Sequence, residues 1–176
     1  SYTANSAVMP RLRNILDQNA GVKVISQSVL ENVSGTIMLT GLVDNLQCLN
    51  GQSLGTGLRN SSHRSTNAAT RDAANTQQYL GENTDAGTSP LYALNFQQIR
   101  PALVGCQTTP AGNLPLITYH SWNRWNEGDN YAMADGSARF SKFNGTISSS
   151  RYMWGARMYT ANGQQLLDPL TGLPVQ

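Results

Sequence analysis

The sequence predicts an α+β fold in which an antiparallel sheet of roughly four to six strands carries most of the structure. Three observations point there. Asp135-Gly136 lies between Tyr131-Ala132-Met133-Ala134 and Ser137-Ala138-Arg139-Phe140, two strand-like runs, and Asp-Gly in that setting is the strongest short-range hairpin signal. Val22-Lys23-Val24-Ile25 and Gly35-Thr36-Ile37-Met38-Leu39 are apolar and β-branched, bounded by Asn, Gly and Ser. Residues 50–90 instead alternate Gly with Ser, Thr, Asn and Gln and hold few apolar side chains, the composition of a long polar loop inserted into a domain. The 176 residues therefore read as one domain, 1–176, long enough to bury a core.

In chain order, Val8, Leu12, Ile15 and Leu16 share a helix face, so residues 6–18 read as a helix with Pro10 in its first turn. Strands at 22–25 and 35–39 follow, joined by a short connector at 28–32, and the second strand runs out into a loop at Gly41 to Asn45. Within the polar insertion, Ala68, Ala69, Ala73 and Ala74 mark one short helix between 66 and 79. Leu91, Leu94, Phe96, Ile99 and Leu103 restore core character. The Asp135-Gly136 hairpin is expected to use a type I′ turn, with Met133 and Phe140 in apolar contact across it. Tyr152-Met153-Trp154-Gly155-Ala156-Arg157-Met158-Tyr159 forms a last aromatic strand or loop before a Gly- and Pro-punctuated tail.

The net charge is +2, too small for a nucleic-acid surface, and no apolar run reaches membrane-spanning length. Ser1 to Asn5 has neither the basic nor the apolar region of a signal peptide. Only 12% of residues are charged, while Asn, Gln, Ser and Thr together number 60, about a third of the chain. Neutral polar surfaces hydrogen-bond without long-range repulsion and can pack side by side. Such a composition points to a secreted, surface or self-associating protein. Cys48 and Cys106 then read as one disulfide closing a long loop, the alternative being two separate buried thiols. Two Cys and two His without CxxC spacing make a poor zinc site.

Four features occur in order along nearly the whole chain. They are Ser1-Tyr2-Thr3-Ala4-Asn5, the strand Thr36-Ile37-Met38-Leu39 running towards Asp44, His120 followed by Ala134-Asp135-Gly136-Ser137 and Phe140, and Trp154-Gly155-Ala156-Arg157-Met158-Tyr159. Together they resemble the C-terminal head domain of type IV pilin-like proteins, in the prepilin and pseudopilin class with a His … Asp-Gly signature. The His-to-Asp-Gly spacing is longer here, with the extra residues around Trp125 to Asp129. The resemblance implies a pilin-like antiparallel head that packs on a long N-terminal hydrophobic helix. That helix is absent from this sequence, so a lost segment or a separate chain would supply it. It also implies a pilus-like or pseudopilus-like filament of identical subunits outside the cell or on its surface, the 50–90 loop facing outward.

The candidate site residues are weighed against plainer roles. His120 and Asp135 form an acid–base pair only if they meet each other and a substrate; otherwise Asp135 caps its own turn and His120 packs on Tyr or Trp. His63 sits in the polar insertion and reads as solvated. No Gly-x-Ser-x-Gly elbow, phosphate loop or His-Glu-x-x-His motif occurs, so a structural role is expected rather than an enzyme, with no cofactor implied. Glu127, Asp129, Asn130 and Asp135 are the densest oxygen-ligand set and the candidate calcium ligands, against a solvated acidic loop. Pseudopilins that hold calcium in their C-terminal loops give that reading some weight. Trp122, Trp125 and Tyr131 are interleaved with Asn and Arg, which suits either stacking on glycans or a core and subunit interface. An adhesin that binds surface glycans through Trp122 and Trp125 is therefore the alternative function. Asn32, Asn60 and Asn144 head N-glycosylation sequons, and such sequons arise by chance in a chain this rich in Asn, Ser and Thr.

Overall fold

The computed structural model describes residues 1–9, 25–49, 65–77, 79, 90–107, 115–160 and 163–176. Among them the chain forms mixed helix and sheet, an α+β arrangement in which antiparallel pairing predominates. The principal sheet has four strands in the order β1 (Tyr2–Ala4), β2 (Ile37–Gly41), β5 (Gly128–Met133) and β6 (Ala138–Lys142), every neighbour antiparallel. A second sheet sets β3 (Ala69–Thr70) antiparallel to β4 (Leu91–Ala93), which pairs in parallel with β9 (Leu166–Leu167). β7 (Ile147–Ser148) and β8 (Arg151–Tyr152) form a small hairpin. The helices are α1 (Phe96–Gly105) and the single turn α2 (Phe143–Thr146). No helix among the described residues is long and apolar enough to cross a membrane.

The expected 35–39 strand forms as β2, and the Asp-Gly hairpin forms as β5 and β6. Its turn differs from type I′. Met133 accepts the Gly136 N–H at 3.0 Å and donates its own N–H to Ser137 at 2.8 Å, so the loop is the three residues Ala134-Asp135-Gly136. Only Gly136 has positive φ, at 86°, which is the glycine position of a turn closed by a bulge. Phe140 is also not Met133's partner. Asn130 stands opposite Phe140, whose ring lies over Gly128 on the outer face, while Met133 is buried in the core. Alternation along β5 puts Asp129, Tyr131 and Met133 inward and Asn130 outward.

α1 starts at Asn95, whose side chain accepts the Gln97 N–H. Ile99 and Leu103, four residues apart, face the core and are fully buried, as are Leu91 and Leu94 just before the helix. One step further, Cys106 is bonded to Cys48, closing a loop of sequence separation 58. The chain-entropy model gives such a closure about 4 kcal/mol.

The region expected to be a purely outward polar loop contributes to the core where it is described. Thr66, Asn67, Ala68, Ala69, Thr70 and Tyr79 are buried. In place of a helix across 66–79 the chain makes β3 and a turn that Asp72 closes by accepting the Thr76 and Gln77 N–H groups. Two of its buried polar side chains are bonded within the segment: Asn67 Nδ2 donates to Tyr79 O and Thr70 Oγ1 to Gln77 O. Residues 50–64, 78 and 80–89, with His63 and Asn60 among them, lie outside the described residues, as do 10–24 with most of the expected first helix and the strand at 22–25.

Candidate functional site

His120 follows a short 3₁₀ turn, Leu116–Tyr119, every residue of which is buried. That turn delivers the imidazole into the space between the principal sheet and α2. Its ring stacks on Tyr131 with centroids 5.3 Å apart, lies 4.9 Å from Phe143 and meets Trp154 edge-on at 5.7 Å. His120 is 0% exposed.

The carboxylate facing His120 is Asp129, from β5. Asp129 Oδ2 stands 3.5 Å from His120 Nε2, beyond hydrogen-bond length, and accepts the Gly41 N–H at 2.8 Å and the Thr40 hydroxyl at 3.1 Å. Oδ1 accepts the Asn130 N–H at 2.9 Å. Gly41 has no room for a side chain, since a Cβ there would meet Asp129 Oδ2 at 2.6 Å. Burial holds the His120 imidazole below its ordinary pKa, outweighing the pull of Asp129, and the nearby Arg124 guanidinium acts in the same direction. For Asp129 burial pushes upward, yet the contact with His120 and the Gly41 and Asn130 amides keep the carboxyl below its usual range. The pair is a neutral imidazole beside an ionised, amide-bound carboxylate, closed off from solvent.

Asp135 lies elsewhere, at the tip of the hairpin. Its Oδ1 accepts both the backbone N–H and the hydroxyl of Ser137, at 2.9 and 2.6 Å, and those bonds hold its pKa low. It caps its own turn, and His120 packs on aromatic rings. The four candidate calcium ligands do not share a face either. Asp129 points inward, Asn130 outward, Asp135 is in the turn, and Glu127 sits at φ 60° in the loop before β5. Among the described residues, no group of three or more His, Cys, Asp or Glu could hold a metal ion.

The two tryptophans part company. Trp122 is 7% exposed and belongs to the core cluster, so a paired Trp122–Trp125 platform does not form; Tyr131 is wholly buried. Trp125 is 57% exposed and opens a tight turn, in which its N–H donates to Gly128 O across Asn126 and Glu127, both at positive φ. Exposed Asn123, Arg124 and Asn126 surround it in sequence. Of the sequons, Asn32 and Asn144 are exposed. Asn32 accepts the Gly35 N–H, however, and the buried Thr146 hydroxyl of the Asn144 sequon donates to Phe143 O and accepts from Trp154 Nε1.

Asn5, which ends the first of the four ordered features, gains its role only from the fold. Buried beside this cluster, it donates through Nδ2 to Ile37 O at 2.8 Å and Trp154 O at 3.0 Å, and its Oδ1 accepts the Ala7 N–H. One amide thus ties β2 to the aromatic C-terminal segment. An open apolar groove of about 350 Å³ lies alongside, lined by Val8, Met9, Ile25, Leu30, Met38 and Ala134. Compared with known families, curated proteins and solved structures, the chain and its fold match none.

Proposed function

We propose that this chain is the head domain of a structural subunit in an extracellular filament of the type IV pilus or pseudopilus kind, and that it acts by self-assembly. One observation carries the reading: the residues of the ordered signature meet as architecture. Asn5 bonds the carbonyls of Ile37 and Trp154, and His120 meets Trp154 edge-on and stacks on Tyr131 of the hairpin. The His–carboxylate pair found among the described residues, His120 with Asp129, is sealed beneath aromatic rings, where a substrate has no access. A buried network of this sort fixes how sheet, hairpin and C-terminal segment sit together, which is what a repeating building block requires. The few charges and the uncharged polar surface favour lateral packing of such heads.

Electron microscopy of the natively purified protein tests the proposal. Ordered filaments whose repeating density accommodates this fold are the expected result. Dispersed particles under all assembly conditions overturn it.

A second reading rests on Trp125, whose exposed indole is flanked by polar and cationic side chains suited to a sugar face. In that reading the protein is a glycan-binding or adhesin module. Trp125→Ala then abolishes glycan binding while folding is unchanged; loss of assembly with glycan binding unaffected assigns the indole to a subunit contact.

A further inference from the structure

Among the described residues, three of the sheet edges are covered by other backbone. β1 is covered on its outer side by Thr66, which exchanges backbone bonds with Ala4 and Ser6. β8 is covered by Gln176, and β9 by the bridge from Leu167 to Pro174. Among the described residues no strand pairs with the outer side of β6, which ends the principal sheet, and Ala138, Arg139, Phe140 and Lys142 are exposed along it. An uncovered strand of this length is a template for another strand.

The ladder fixes which groups point outward. Met133 N–H donates to Ser137 O at one end of the hairpin, and Phe143 N–H to Glu127 O at the other. Bonded pairs alternate in an antiparallel ladder, so Arg139 and Ser141 exchange bonds with Tyr131 and Asp129. Ala138, Phe140 and Lys142 stand in the non-bonded pairs with Ala132, Asn130 and Gly128, and their N–H and C=O groups face away from β5.

From this we infer that β6 is an interface between two copies of this chain, paired antiparallel about a two-fold axis at Phe140. In that register Phe140 exchanges both backbone bonds with Phe140 of the second copy. Ala138 and Lys142 exchange theirs with Lys142 and Ala138, so every outward donor and acceptor of the strand is met. Charge agrees with the register: Arg139 comes opposite Ser141 and Lys142 opposite Ala138, leaving no like charges directly apposed. The two Phe140 rings meet on the outer face, where the side chain is 55% exposed in the single copy. The principal sheet then runs unbroken through both copies. A strand this short buries less than a standard interface, so the contact is weak and reversible in dilute solution. The inference is independent of the filament reading and holds for either proposed function.

Disulfide trapping by a register-specific pair of variants tests it. Phe140→Cys places two cysteines across the axis within disulfide reach, whereas Arg139→Cys, also exposed, faces Ser141 and has no cysteine partner. Under mild oxidation the expected result is a covalent dimer of Phe140→Cys in at least tenfold excess over that of Arg139→Cys. A mixture of Arg139→Cys with Ser141→Cys cross-links where neither does alone. In the otherwise native chain, Ala138→Pro removes an outward N–H without touching the bonds to β5 and lowers dimer content in sedimentation at high concentration. Equal trapping of Phe140→Cys and Arg139→Cys overturns the inference, and so does a chain that sediments as monomer at every concentration, with and without Ala138→Pro.

Discussion

At the scale of single residues, stability concentrates in a few buried polar groups. Asn5→Ala removes the donor from two buried carbonyls at once and is expected to destabilise the fold by about 3 kcal/mol, read from urea unfolding. His120 gives the protein a pH dependence whose sign follows from its burial. The folded imidazole sits below its ordinary 6.5, so the unfolded chain binds the proton first. Stability is full above about pH 7 and falls as pH drops below 6.5, with a slope of at most ~1.4 kcal/mol per pH unit. Asp129, held below 3.8, adds a second loss only as pH falls beneath that value. Denaturation midpoints at about pH 7.5 and 5 measure the first effect, and His120→Gln flattens it. The sequence weighed Asp135 as a partner of His120 against a turn-capping Asp135 and a His120 packed on Tyr or Trp, and the second arrangement is the one that forms. Asp135 stood out through its Asp-Gly turn, while strand register decides which carboxylate faces His120 and brings Asp129. The same limit separates Trp122 from Trp125: three residues apart and alike in composition, one is core and the other surface.

At the scale of elements, the hairpin was legible because Asp-Gly between apolar runs has few other uses. Its loop length was not, since one extra residue converts a two-residue turn into a bulged one without changing the signal. Gly136→Ala tests the backbone term in isolation. No atom lies within 4 Å of the Cβ it would add, so the expected loss of about 1 kcal/mol arises from φ 86° alone. The 65–79 segment misled for a different reason. Polar residues predict solvent exposure unless their hydrogen bonds close internally, and those of Asn67 and Thr70 do. Cys48 and Cys106 needed only their number and the low-charge, polar composition to be paired. Replacing both by Ala lowers stability by about 4 kcal/mol in the chain-entropy account, measurable as a reduced denaturation midpoint.

At the scale of the whole molecule, the α+β class was legible from strand signals, helix spacing and turn chemistry. The closure of one sheet against another was not, because it rests on contacts between distant parts of the chain. Trp125→Ala is expected to change stability by less than about 0.5 kcal/mol, being an exposed side chain, and to act on assembly or ligand binding alone. The amide of Asn5 reaches Trp154 across 149 residues, and the Thr160 hydroxyl reaches Ser6 O across 154. These long closures have a temporal meaning. Asn5 and Ser6, just past β1, cannot complete their bonding until Trp154 and Thr160 have been made, so this part of the domain closes only after most of the intervening chain is in place. Folding dominated by such distant pairings falls in the slow, millisecond-to-second range. Through that interval the sheet's partners remain unmatched, and help from a chaperone matters most then.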